Sequence, residues 1–346
     1  MSFEQNYESI VLHSPNFSKP TNHLLIYFLT GNPGLIDYYQ EYLNAVLSQH
    51  GNITGRAKDT TIHIYGCSLA GFETSGKATN ARFVAEHGPG PWDVDQEIAY
   101  VDGAIDDALE DLRAYLKGQG QDVGKEARVV LIGHSLGTYM TLEILRRRKA
   151  RQAQGKIIGA ILLCPTIMNL AGSSSGRKVA LIGSLRFTAV SLASLARVLS
   201  WLLSLTAMLG LVQRVTGQPP DAAFVTTSFL QSPNGVRQAL TLARHELVDI
   251  SADKWDDEIW GVVAPASGTK TKLFLYFAEV DHWIADETRD QIIAARAYSG
   301  KVDEEDRPVM EIDTNEVPHD FCIRHSQIVA DKTVGYLRRI IDENWQ

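Results

Sequence analysis

Short apolar runs alternate along the chain with longer amphipathic stretches, and this rhythm predicts strands alternating with helices. His23 to Leu29 reads as a strand, followed by a helix from about Ile36 to Gln49. Thr61 to Tyr65 is the next strand, before a long helix from about Val94 to Lys117. The apolar run Ala127 to Ile132 leads through a glycine-bounded turn into helical sequence from Thr138 to Leu145. Ile157 to Cys164, Lys272 to Phe277 and Pro308 to Ile312 complete the strands, and a helix closes the sequence. Nearly continuous hydrophobic strands separated by helices imply a mostly parallel, doubly wound sheet covered on both faces, an α/β fold. Reactive groups of such a sheet gather at the carboxyl ends of its strands.

One interval breaks the rhythm. Residues 166–270 are helical in pattern and read as a cap inserted into a core made of residues 1–165 and 271–346. At its centre lies an apolar segment at about 179–213, in which Arg186 and Arg197 are the only charges from Val179 to Val212. A bilayer crossing needs about 20 apolar residues, so length alone permits one. Topology excludes a single crossing, because strands before and after the segment must join one sheet. Ser184, Thr188, Ser191, Ser194, Arg197, Ser200 and Ser204 recur three or four residues apart and predict a narrow polar stripe. A re-entrant hairpin, helices lying in a lipid interface and a helix pair packed inside the cap all fit this pattern.

The chain has 346 residues, 45% of them hydrophobic, enough for one large domain with an insertion. Its net charge of −8 argues against a nucleic-acid partner, which calls for a basic footprint. The cysteines Cys67, Cys164 and Cys322 are too scattered for a disulfide framework or a zinc site. The start, Met1 to Glu8, has no basic and apolar leader, which predicts an intracellular protein. The basic run Arg146 to Arg151 could be taken for an anionic-membrane patch. It ends the helix that follows Ser135, roughly 20 Å from that residue at ~1.5 Å per residue, so interaction with the helix C-terminus accounts for it better.

Candidate chemistry centres on Gly133-His134-Ser135-Leu136-Gly137, set between a predicted strand and a predicted helix. A serine in such a turn is lifted above the strand end, and the flanking glycines remove Cβ atoms that would block tight packing. A serine hydroxyl needs a base, and the base needs a carboxylate. In a strand-turn-helix hydrolase the chain order is serine, acid, histidine. Asp281, in the loop after Lys272 to Phe277, is the favoured acid, with Glu279 and Asp286 as alternatives. His319, between the last strand and the C-terminal helix, is the expected base. His325 falls on that helix, His282 adjoins the acid outside the base position, and His134 reads as a packing residue pointing away from the hydroxyl. The oxyanion donors expected are the amides of Leu136 and of Asn32, in Thr30-Gly31-Asn32-Pro33-Gly34, since Pro33 has no amide hydrogen. No metal-ligand spacing or phosphate-binding loop occurs, so neither a metal nor another cofactor is expected.

With these pieces placed, the chain resembles the lipid-droplet-associated hydrolase family of α/β-hydrolases. The resemblance rests on Gly31-Asn32-Pro33-Gly34 followed by Asp37-Tyr38-Tyr39, on the Ser135 turn, and on Cys164-Pro165-Thr166-Ile167. It extends to Asp281-His282-Trp283 and Pro318-His319-Asp320-Phe321. The family pattern puts the nucleophile on Ser135, the acid on Asp281 and the base on His319. It implies an α/β-hydrolase fold and cleavage of neutral-lipid esters such as sterol esters or acylglycerols. It further implies a lipid-droplet location with an endoplasmic reticulum or cytosolic pool, and the apolar insertion as the anchor to that monolayer or membrane surface. Acyl transfer to an alcohol through the same residues, and a surface or scaffold role with little catalysis, are the alternative functions.

Overall fold

Alternate residues of one strand bury against opposite layers: Leu24, Ile26 and Phe28 into one hydrophobic cluster, Leu25, Tyr27 and Leu29 into the other. Period-two burial on both faces is what a strand sandwiched between helices requires. The computed structural model describes residues 2–15, 22–55, 59–121, 127–151, 156–183, 202–261, 271–297 and 307–345, with 191, 194 and 198. Among them run the strands β1 (Ser9–His13), β2 (Asn22–Leu29), β3 (Thr60–Cys67), β4 (Arg128–His134), β5 (Lys156–Leu163), β6 (Lys272–Phe277) and β7 (Val309–Ile312). They form one sheet in the order β1-β3-β2-β4-β5-β6-β7, parallel except where β1 meets β3. The chain winds from β2 out to β3, then returns past β2 to place β4 on its other side. The loops after β2 and β4 therefore diverge from neighbouring strand ends, the position at which such sheets open a crevice.

Helices α1 (Gln40–Ser48), α2 (Val94–Gly118) and α3 (Leu136–Ala150) lie in the first half of the core. A capping box between Asp93 and Gln96 starts α2, and Ile98, Val101, Ile105, Ala108, Leu112 and Leu116 turn one stripe of it into the core. The helix expected from Ile36 begins as a tight turn over Ile36–Tyr39 before α1 takes over. The strand β1 has no counterpart in the hydrophobic pattern, because only Ile10 of its five residues is fully buried. Each cation of the basic run has a carboxylate partner: Arg146 pairs with Glu143, Arg147 with Asp95, Arg148 with Asp102 at 2.5 Å, Lys149 with Glu258, and Arg151 with Asp102. The run thus joins α3 to its neighbours.

Between β5 and β6 stand α4 (Ser174–Gly183), α5 (Leu205–Thr216), α6 (Pro220–Gln231) and α7 (Gly235–Asp249). Helices α8 (Asp286–Ala297) and α9 (Ser326–Asn344) follow β6 and β7. Helices α5 and α6 share a small core of Met208, Val212 and Ala223, while Leu202, Leu205, Leu211, Val215 and Phe224 are exposed. Ser204 caps α5 through the amide of Ala207, at 3.2 Å. Ser184, Thr188, Arg186, Arg197 and Ser200, in the middle of the apolar segment, lie outside the described residues. No helix among the described residues is long and apolar enough to cross a membrane.

Candidate active site

Ser135 adopts φ 52°, ψ −122°, a left-handed backbone that side chains avoid unless the surroundings impose it. The surroundings here are main chain. A Cβ on Gly133 would stand 2.4 Å from the carbonyl oxygen of Gly137, and one on Gly137 would stand 2.3 Å from that of Leu29. Glycine at both places lets β4 turn sharply into α3 with Ser135 at the apex. The loop after β2 comes equally close, since a Cβ on Gly31 would lie 2.9 Å from Cβ of Ser135.

Above the turn, Ser135 Oγ lies 2.9 Å from His319 Nε2, and His319 Nδ1 lies 2.7 Å from Asp281 Oδ2. Asp281 can only accept when ionised, so Nδ1 carries the proton and Nε2 is left to accept from the serine hydroxyl. The amide of Trp283 donates to the other carboxylate oxygen at 2.7 Å, which fixes the acid. Burial pushes the Asp281 carboxyl up, but the hydrogen bond and charge of His319 and the Trp283 amide outweigh it and hold the group below its ordinary value. Of the other candidate carboxylates, Glu279 is exposed and Asp286 pairs with Arg289. His325 sits just before α9, its Nδ1 buried without a hydrogen-bond partner among the described residues. His282 is exposed and uses its carbonyl to hold Ser174 and Ser175.

His134 packs as expected, against Tyr39 and Phe321, and does more than pack. Its Nε2 meets the carbonyl oxygen of His319 at 2.8 Å and its Nδ1 meets the Tyr39 hydroxyl at 2.7 Å. A carbonyl only accepts, so Nε2–H is the donor and Nδ1 accepts from Tyr39, whose oxygen in turn accepts from the Gly31 amide at 3.3 Å. Burial, with the neighbouring His319, lowers the His134 value to about 3, so the ring stays neutral and keeps this tautomer.

Leu136 opens α3, so its amide is one of the donors a helix start leaves unpaired. With the Gly31 amide engaged, the Asn32 amide is the next donor along the loop, and neither it nor the Leu136 amide has an acceptor among the described residues. The Asn32 side chain reaches the other way, into the cap: its nitrogen donates to the Ala239 carbonyl at 3.0 Å and to Glu246 Oε1 at 2.7 Å. Glu246, on α7, is a site residue the sequence reading missed. Cys164 Sγ lies with Asp281 and His319, their nearest ligand atoms all within 4.8 Å of one another, the one such cluster among the described residues. Burial pushes the Cys164 thiol well up, and Asp281 and His319 are already bonded to each other, so the group is arranged for proton transfer more than for holding a cation.

This geometry can generate an alkoxide and shelter the charge it creates on an ester or thioester oxygen. Known proteins share its setting. The family described as lipid-droplet associated hydrolase matches residues 22–322. The lipid droplet-associated hydrolase of Homo sapiens is 30% identical over 172 residues, which are 48% of this chain and 44% of that protein. The match thus spans less than half the length of that relative. The protein of the same name from Drosophila melanogaster is 23% identical over 316 residues, 90% of this chain and 87% of its own. Among solved structures, a peroxisomal alpha-beta-hydrolase from Saccharomyces cerevisiae superposes with a TM-score of 0.54 at 10% identity, covering 99% of this chain and 92% of the other. That likeness is one of fold: the chain has the α/β-hydrolase architecture, a mostly parallel seven-stranded sheet with flanking helices.

Proposed function

The chain belongs to the lipid-droplet-associated hydrolase family, and from that premise we propose that it is a serine hydrolase cleaving carboxylic esters of neutral lipids. The observation that carries the reading is the unbroken chain Ser135 Oγ, His319, Asp281 on a strained turn. Ser135 attacks the ester carbonyl while His319 Nε2 takes its proton. Asp281 keeps His319 in the accepting tautomer and stabilises the imidazolium. The amides of Leu136 and Asn32 hold the oxyanion. His319 then gives its proton to the leaving alcohol, and water resolves the acyl-enzyme by the same steps.

Residues 166–270 form the cap in this reading, with the segment at about 179–213 as its lipid-facing part. The exposed Leu202, Leu205, Leu211, Val215 and Phe224 support contact with a lipid surface, as do the family's name and those of its relatives. A lipid monolayer would bury these side chains without a membrane-crossing helix. We place the protein on lipid droplets, with an endoplasmic reticulum or cytosolic pool.

Labelling by a fluorophosphonate tests the reading. The native chain should label and Ser135→Ala should not, and a neutral-lipid emulsion should raise the rate and release fatty acid. Equal labelling of both proteins removes the mechanism, while acyl transfer to an added alcohol in preference to water would make the enzyme a transferase.

A further inference from the structure

Glu246 is 6% exposed and faces the core from the cap helix α7. Its partner Asn32 spends both side-chain hydrogens, on Ala239 and on Glu246 Oε1, yet its Oδ1 is buried with no hydrogen-bond partner among the described residues. A buried ionised carboxylate joined to an amide whose oxygen is orphaned carries two desolvation costs. One proton on the carboxyl removes both, because Oε1 keeps the amide nitrogen while Oε2–H becomes the donor that Oδ1 lacks. This is the two-bond pairing of a carboxylic acid with a primary amide.

Resting on the reading above, we propose that Glu246 is a positioning residue of this reaction. Protonated, it pairs with both ends of the Asn32 side chain, fixes the loop whose amide faces the ester oxygen, and ties that loop to the cap. The proton is available near neutrality: burial pushes the Glu246 carboxyl up to about 7, although the Asn32 bond and the charge of His319 act in the opposite direction. His319, on the loop after β7, is the titratable group that acts on it. From α2 the buried Glu97 meets α7 at Gln238, two turns away, through a 3.0 Å bond. On α7 itself His245 and Asp249 interact with each other. α6 makes the neutral contact Thr226–Tyr38 with the turn that follows the loop, and α4 offers only the exposed Arg177 and Lys178. Ionisation of Glu246 therefore breaks the second bond to Asn32 and loosens the loop whose amide faces the ester oxygen.

The test measures kcat and KM for 4-nitrophenyl butyrate between pH 6 and 9 in the native chain, Glu246→Gln and Glu246→Leu, with Ser135→Ala as control. The native kcat should fall about fivefold or more above pH 7, with KM within about twofold. Glu246→Gln, which keeps an acceptor and a donor but cannot ionise, should lose that alkaline fall. Glu246→Leu should lower kcat about tenfold at pH 6.5, and Glu246→Gln should recover most of that loss. An alkaline limb in Glu246→Gln equal to the native one overturns the proposal. If Glu246→Leu does not fold, the native and Gln profiles decide alone. Turnover surviving in Ser135→Ala would instead overturn the serine mechanism, so the two failures are separate.

Discussion

The ring of His134 donates through Nε2 to the main-chain carbonyl of His319 at 2.8 Å, so the residue before the proposed nucleophile holds the backbone of the proposed base. The same ring takes the Tyr39 hydroxyl, which takes the Gly31 amide. Three loops from different strand ends are thereby locked to one neutral imidazole. His134→Phe keeps an aromatic ring but removes both bonds and leaves the buried Tyr39 O–H without an acceptor, a cost of about 1–3 kcal/mol. We expect kcat to fall ten- to a hundredfold, with Tm lower by a few degrees. An unchanged kcat in a folded variant would mean the base loop is held elsewhere.

Asp281→Asn should lower kcat by about 10⁴, because an amide permits the wrong His319 tautomer. Glu279→Gln, in the same loop but exposed, should change it by less than twofold. The variant also has a pH signature. The Asp281 carboxyl titrates below its unfolded value, so its contribution to stability is present above that value and is lost as pH falls through the folded one. The gap in Tm between native and Asp281→Asn proteins should therefore close on acidification below about pH 4, a trend that thermal melts across pH 3–7 would follow.

The Arg148–Asp102 pair is buried on both sides, with side chains 5% and 6% exposed. Arg148 keeps Asp106 at 2.8 Å when Asp102 is removed, so Asp102→Ala should cost the loss of a charged hydrogen bond, about 1.5–3 kcal/mol, in urea unfolding. Replacing both, as Arg148→Met with Asp102→Leu, should cost much less than the single change. Equal losses would assign the effect to packing.

Two glycine-to-alanine changes should act in opposite directions. On Gly137 the new methyl meets the carbonyl oxygens of Leu29 and Thr30 at 2.3 and 2.8 Å, neither of which can move without shifting the end of β2. Gly137→Ala should yield little folded protein. On Gly103, within α2, it meets nothing within 4 Å, and Gly103→Ala should stabilise by about 0.5–1 kcal/mol, read as a rise in Tm.

If the cap contacts lipid through its exposed side chains, the triple change Leu202→Ser, Leu211→Ser, Val215→Ser should lower partitioning onto a phospholipid-coated triolein emulsion at least fivefold. Each of these side chains contributes up to about 1.5–3 kcal/mol when fully buried. Undiminished flotation with the emulsion would assign the contact to another surface.

The sequence revealed the parallel sheet and the meeting of Ser135, Asp281 and His319 for a shared reason. Ser135 and Asp281 follow strands with long buried hydrophobic runs, His319 follows the shorter Val309–Ile312, and chain order then limits the choice at each loop. β1 escaped because one buried residue in five leaves no pattern. His134 escaped because its two partners lie 95 and 185 residues away, and an elbow motif leaves its second position chemically open. Glu246 escaped because its partner precedes it by 214 residues. A signal for it was nonetheless present: Gln238, Leu242, Glu246 and Ile250 recur at helical spacing and are all buried, so an acid stood on a core-facing stripe.

The strand order has a consequence for the chain as it is made. In the proposed mechanism the nucleophile rides on the central strand β4, whereas the base follows β7, at the far edge of the sheet. A nascent polypeptide leaving the ribosome therefore carries its serine for 184 residues of synthesis before His319 exists. Throughout that interval the hydroxyl has no partner to take its proton. On the proposed mechanism, a product of premature termination before residue 319 lacks its base, and reactivity arrives only with a finished sheet.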